Sequence, residues 1–401
     1  MWKRAFERAL DALIRTGALE VTYADGETRR FGEAGAEPLR IAFHDPALPR
    51  KILLAPDMAV GEAYMDARLT IEGDDLAGFM ALILKNRRPV ADRGIMGLAS
   101  RLSAPVQRFA DRIPAFRAKA NVKHHYDLSG ELYELFLDED RQYSCAYFRN
   151  EDDDLDTAQR QKKAHVAKKL LIEPGQRVLD IGCGWGGLAI TLAQDHGARV
   201  VGVTLSEEQH AVATRRVAEA GLAGQVEIRL EDYRLVAGPF DRIVSVGMFE
   251  HVGRAHYLEY FDTVRRLLTP DGIAMIHTIG TLTPPRATSP WVRRYIFPGG
   301  YLPALSEVVS AVERAGLAQT DIEIWRKHYA LTLNHWRRRF EARADEARAL
   351  FDDRFVRMWR YYLTAAERSF LEGPLAVFQV QLARDKLAVP ITRDYLYRDR
   401  A

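Results

Sequence analysis

Val178-Leu179-Asp180-Ile181-Gly182-Cys183-Gly184-Trp185-Gly186-Gly187 is the stretch that decides the fold. An apolar run, Arg177–Ile181, reads as a strand. Glycines crowd the turn that follows, and a helix pattern runs on to about Gln194. Glycine permits the tight turn and close backbone approach that a bound nucleotide needs. Gly182, Gly184 and Gly187 satisfy G-x-G-x-x-G, a pattern that dinucleotide enzymes share. A dinucleotide site also wants an acid at the end of the second strand, about 20 residues on, to meet the ribose. Here that segment reads Val201-Gly202-Val203-Thr204-Leu205-Ser206, without an acid. Asp180, just before the loop, can hold loop amides or reach the ammonium of a methionine moiety. S-adenosylmethionine is therefore the nucleotide read from this loop, with NAD and a purely structural turn as the rivals.

Outward from the loop, strand and helix alternate between about 160 and 282. Strands are expected at Arg199–Thr204, Gln225–Leu230, Phe240–Val246 and Gly272–Ile279, with helices from Glu207 and over Tyr257–Leu268. Short apolar strands between helices imply a mostly parallel sheet covered on both faces. Leu333–Leu371 reads as a helical insertion rich in Arg and aromatics. Leu375–Arg384 is expected to return as a last edge strand.

Residues 1–88 read as a small α+β domain. Asp25-Gly26 between 19–23 and 28–31 is a hairpin signal. Leu39–Phe43 alternates like a strand, and Asp75–Leu84 looks helical. Trp2, Phe6, Leu10, Leu13 and Ile14 give the first segment an amphipathic helical pattern. Its charges exclude a secretory signal, and no apolar run reaches the roughly 20 residues a bilayer span needs. Between 85 and 123 there are ten Lys/Arg and two acids, interleaved with apolar residues. Residues 89–120 are expected to be a basic amphipathic linker, either solvated or attracted to anionic lipid, where each surface cation adds about 1 kcal/mol. Residues 121–401 then form the catalytic domain. The net charge of +2 does not imply a nucleic-acid partner, and base-reading motifs are absent, so no nucleic acid is expected. Two cysteines, Cys145 and Cys183, cannot build a disulfide framework and lean toward a reducing, cytoplasmic compartment.

Other segments add to the loop: 122–127 (VKHHYD), 142–148 (QYSCAYF), 203–206 (VTLS), 249–253 (FEHVG), 277–280 (HTIG) and 297–301 (FPGGY). Together they resemble the cyclopropane fatty acid synthases and mycolic acid cyclopropane synthases, from about Asn121 to Arg384. That resemblance implies a class I S-adenosylmethionine-dependent methyltransferase: α/β, Rossmann-like, with a mostly parallel seven-stranded sheet. It implies cofactor contacts at Tyr143, Ser144, Asp180, Gly182, Cys183, Gly184, Trp185, Gly186, Thr204, Leu205, Gln209, Leu230 and Glu231. It also implies a reaction in which the cis double bond of an unsaturated phospholipid acyl chain takes the methyl group. A carbocation forms, a base removes a proton from the new methyl, and the ring closes. Such a site must exclude water, stabilise a cation and hold a base beside the methyl. In the family that base is a bicarbonate ion. The residues matching its holders are Cys145 and Ile279 through their amides, with Glu250, His277 and Tyr329 through their side chains.

One position departs from the family. Ala366 stands where members often carry a cysteine; the chemistry needs no thiol nucleophile, so the cysteine is read as dispensable. Rival functions are a fatty-acid C-methyltransferase giving a methyl-branched or methylated-alkene product, a small-molecule methyltransferase, and a non-catalytic lipid-surface module. Peripheral attachment to the inner face of the membrane is expected. The sequence admits a homodimer without setting the oligomeric state.

Overall fold

The structure, a computed structural model, describes residues 1–91 and 130–397. The packing divides into two compact units that do not follow the chain. One comprises 1–109, 289–296 and 333–374; the other comprises 110–288, 297–332 and 375–401. The expected division at 88 and 121 runs along the sequence, whereas here the helical insertion groups with the N-terminal residues.

In the first unit, β1 (Ala18–Thr22) and β2 (Thr28–Gly32) form the expected hairpin around Asp25-Gly26. β3 (Pro38–Phe43) lies parallel to β1, and β4 (Leu69–Ile71) closes a sheet of order β2-β1-β3-β4. The helix Trp2–Leu13 buries Phe6 and Leu10, while Trp2 stays exposed. Helices Leu48–Leu54 and Pro56–Met65, and the strand β4, carry no strong sequence signal and were not expected. The insertion is three helices, His328–Ala342, Ala344–Leu350 and Asp353–Leu371, and Ala366 is half-buried on the last. Among the described residues no helix is long and apolar enough to cross a membrane.

The second unit is built on seven strands: β5 (Arg177–Ile181), β6 (Arg199–Thr204), β7 (Val226–Leu230), β8 (Phe240–Val246), β9 (Leu268–Thr281), β10 (Ala318–Trp325) and β11 (Leu375–Ala383). Their order is β10-β11-β9-β8-β5-β6-β7. β5 through β9 pair in parallel, and β11 runs antiparallel between β9 and β10. One expectation is corrected and one strand was missed. β11 is interior, not an edge strand, and the edge beside it is β10, whose polar sequence hid it. Both faces of the sheet are covered. Leu179, Ile181, Ile243 and Ile276 enter one core cluster, and Val178, Val200, Val244 and Met275 enter the other. Continuous burial explains the unbroken apolar strands. Truncating a residue such as Leu179, which is fully buried, to alanine would cost about 2–5 kcal/mol.

This order places the functional crevice. The chain goes from β5 through β6 to β7 on one side, then returns to β8 and β9 on the other. Loops leaving the carboxyl ends of β5 and β8 therefore diverge, and open α/β sheets bind ligands at such a switch point.

Candidate active site

A cavity of about 170 Å³ opens at that switch point. It is lined by Tyr143, Ser144, Asp180, Gly182, Cys183, Gly184, Trp185, Thr204, Leu205, Gln209 and Glu231, all expected from the sequence. Two expected residues do not line it: Gly186, and Leu230, whose side chain is largely exposed. Met248, His251, Asp232, Tyr233 and Arg234 line it without having been anticipated.

The glycine loop owes its shape to backbone that other residues rarely adopt. Gly182, Gly184 and Gly186 have φ of 81°, 55° and 83°. The amides of Gly182 and Cys183 both donate to Val203 O, at 2.9 and 3.1 Å, which ties the loop to β6. Gly187 starts the next helix for a different reason: a Cβ there would lie 2.4 Å from an Asp140 carboxylate oxygen and 2.5 Å from Gln142 Nε2. Asp140 is held by Lys163 at 2.5 Å and by Arg216, so it cannot easily yield. Residues 138–144 thus lie directly on the loop, and Tyr143 and Trp185 flank Tyr133 with ring centroids 5.1 and 5.0 Å away.

The polar groups facing this cavity suit a cationic amino-acid nucleotide. Asp180 is buried at the end of β5, and its Oδ2 has no hydrogen-bond partner among the described residues. Burial pushes its carboxyl up to about 7. A cation beside it would restore the ionised form. Thr204 Oγ1 donates to Gln209 Oε1 at 2.8 Å, and Ser206 caps the helix that carries Gln209. An ordered hydroxyl–amide pair therefore stands after β6 where a dinucleotide enzyme would place an acid. These residues fit S-adenosylmethionine.

The second expected group does not line this cavity. None of Cys145, Glu250, His277, Ile279 and Tyr329 is among its lining residues. Glu250 lies in a short helical turn after β8 and accepts the Ile279 amide on Oε1 at 2.7 Å. Its Oε2 is buried with no partner among the described residues, and burial pushes the carboxyl up to about 7. Tyr301 in the 297–301 segment donates its amide to Glu250 O at 3.0 Å, fixing the turn. His277 is buried in β9 opposite Gln379, whose Nε2 lies 3.1 Å from His277 Nδ1. The Gln379 amide N–H donates to Nδ1, and Nε2–H remains a donor. Burial holds this imidazole well below its ordinary range, so it is neutral.

Trp325 stands edge-on to His277 with centroids 5.2 Å apart, and lies 5.2 Å from His328, which precedes Tyr329. Ala146 N donates to Thr332 Oγ1 at 3.0 Å and Phe148 N to His328 Nδ1 at 3.1 Å. The segment after Cys145 is thereby tied to the segment holding Tyr329. Burial pushes the Cys145 thiol well up, so it is no thiolate nucleophile. The unpartnered Glu250 Oε2 and the His277 Nε2–H are polar groups of the kind that hold an anion. The Ile279 amide, expected to meet the anion, here donates to Glu250 Oε1.

Lys162 was missed altogether. It is fully buried on the helix Leu155–Leu170 and donates to Gln142 Oε1 at 2.6 Å and Ser144 Oγ at 2.9 Å. The 122–127 segment lies outside the described residues, as do the linker's residues from 92 onward.

Comparison with known proteins agrees with this geometry. Residues 115–380 match the model of the mycolic acid cyclopropane synthetase family, and residues 2–92 match a domain of unknown function. The cyclopropane-fatty-acyl-phospholipid synthase of Escherichia coli K12 is 38% identical, over 87% of this chain and 89% of that protein. The tuberculostearic acid methyltransferase UfaA1 of Mycobacterium tuberculosis is 35% identical, over 92% and 88%. The solved structure of the mycolic acid cyclopropane synthase CmaA1 complexed with SAH and CTAB superposes with a TM-score of 0.63 at 34% identity, covering 66% of this chain and 98% of that one. A glycine loop shaped for S-adenosylmethionine, a sheet of this order and a match over most of its length agree: the chain belongs to the mycolic acid cyclopropane synthetase family of S-adenosylmethionine-dependent methyltransferases.

Proposed function

We propose that this enzyme methylates the cis double bond of an unsaturated phospholipid acyl chain and closes a cyclopropane ring, as a cyclopropane-fatty-acyl-phospholipid synthase does. The observation that carries the reading is the buried carboxyl of Glu250, tied to the Ile279 amide of β9, with Oε2 left without a partner among the described residues, two residues along that strand from the buried neutral His277. S-adenosylmethionine, when bound, supplies an electrophilic methyl group. Asp180 would meet its ammonium, Thr204 and Gln209 its ribose, and Glu231 its adenine.

An alkene is a weak nucleophile and leaves a carbocation, so the acceptor side must stay dry. Phe249, Tyr257 and Tyr301, all buried, pack around the Glu250 turn. A proton must then leave the added methyl. Bicarbonate is the proposed base, held by the Cys145 amide, the His277 Nε2–H, the Tyr329 hydroxyl and Glu250. With its carboxyl near 7, Glu250 can present either a protonated or an ionised Oε2 to that anion. The neutral imidazole donates without adding positive charge beside the carbocation.

Binding at an anionic membrane surface is the proposed route to substrate. The first unit supports it with exposed Met1, Trp2 and Leu54, and with Arg50 over the Trp2 ring at 5.7 Å. A peripheral location on the inner face and a homodimer are proposed with it.

The similarity to a tuberculostearic acid methyltransferase favours one further reading, a methyl-branched product. The fatty acid profile of a host expressing the protein separates the two. Gain of one CH₂ with loss of the double bond supports the ring. Gain of CH₂ plus two hydrogens supports the branch, and an unchanged profile contradicts both.

A further inference from the structure

Lys162 has no part in the reading above, yet its setting is costly. A buried ammonium is tolerated when paired or fully hydrogen-bonded. Among the described residues its acceptors are two neutral groups, Gln142 Oε1 and Ser144 Oγ, against three N–H donors. The segment it touches is already held without it. Gln159, one turn earlier on the same helix, donates from Nε2 to Gln142 O at 3.2 Å and Ser144 O at 2.9 Å. A cation is therefore superfluous for fixing that backbone.

What the cation adds is polarity. Ser144 Oγ accepts from Lys162, so the hydroxyl's own proton must point elsewhere. Gln142 is fixed likewise, since its Nε2 donates to Asp140 Oδ2 at 3.1 Å. Both residues line the cofactor cavity beside Asp180. A serine O–H backed by a buried positive charge suits an anionic group, and the amino-acid end of the proposed cofactor carries a carboxylate.

We propose that Lys162 is a positioning residue for the cofactor's carboxylate: its ammonium turns the Ser144 hydroxyl into a fixed donor toward that group. The proposal rests on the cofactor assignment above. Burial, with Lys163 nearby, pushes the Lys162 ammonium down to about 8 against the opposing pull of Asp138, Asp140 and Cys145, and Asp180 also lies within its field, so the charge is present below that pH and lost above it.

The test is calorimetry of the full chain with two probes, S-adenosylhomocysteine and 5′-methylthioadenosine, which lacks the amino-acid part. Lys162→Met is expected to weaken S-adenosylhomocysteine binding at least tenfold and leave 5′-methylthioadenosine within twofold. Equal loss for both probes, or loss for neither, would overturn the proposal. If Lys162→Met does not fold, Lys162→Arg decides. Wild-type affinity for S-adenosylhomocysteine should decline as pH rises through about 8, and the arginine variant, which keeps its charge, should lose that decline. A decline that persists in Lys162→Arg overturns the proposal. A wild-type chain that binds neither probe sinks the cofactor assignment instead, a distinguishable failure.

Discussion

At the scale of single residues, the site is organised by what burial does to charge. Glu250 and Asp180 are both pushed up to about 7 by burial, one held by the Ile279 amide and one facing the cofactor cavity. Perturbed groups of this kind cluster where chemistry is done. Glu250→Gln and His277→Ala are expected to keep S-adenosylhomocysteine binding and to lose most turnover, at least a hundredfold each. Unchanged rates in both would remove the assignment of the anion site. A stability prediction follows from Asp180. An unfolded chain releases this proton near pH 4, whereas the native fold holds it to about 7. The cofactor-free fold therefore loses stability as pH rises between those values. Asp180→Asn should raise the melting temperature of the cofactor-free protein by a few degrees at pH 8, less at pH 5, while weakening cofactor binding. Equal gains at both pH values would contradict the cause given. Most of these residues were legible in the sequence because family segments carry them. Lys162 and Gln159 were not: in Leu155–Leu170, read as LDTAQRQKKAHVAKKL, lysines look solvated, yet Lys162, Lys163 and Lys169 are buried.

At the scale of elements, the glycine loop and the strands β5, β6, β8 and β9 were legible because they are mostly apolar and buried, β7 because Val226, Ile228 and Leu230 alternate with charged residues, and glycine marks the turn after β5. β10 was not, since its alternation of Gln, Thr, Asp and Glu with Ile gives no apolar run and only Trp325 at its end is buried. Missing β10 is also why β11 was misplaced at the edge. The loop's close contact with residues 138–144 could not be read from either segment alone. It makes a sharp prediction. Gly187→Ala must displace Asp140 or Gln142, at a cost of about 1–3 kcal/mol. It should also weaken cofactor binding several-fold, as calorimetry and thermal melting would report. A fully neutral substitution would show that the 138–144 segment does not bear on the loop as described.

At the scale of the whole molecule, the two units are assembled from interleaved stretches of chain, which a reading along the sequence cannot reveal. Family similarity spans the catalytic sheet and continues into the N-terminal residues. Charge-neutral substitutions at Arg87, Arg88, Arg93 and Arg101 are expected to weaken sedimentation with anionic vesicles, more so at low salt. Unaltered sedimentation would leave the basic stretch as a connector only. The loop at 180–187 names only the methyl donor, so the decisive point is the acceptor. Its most direct measurement is incubation of the purified protein with methyl-labelled S-adenosylmethionine and vesicles of an unsaturated phospholipid, followed by lipid mass spectrometry. Label is expected in the acyl chain, as one added CH₂ with the double bond gone. Label that never enters lipid, from a protein that binds the cofactor, would contradict it.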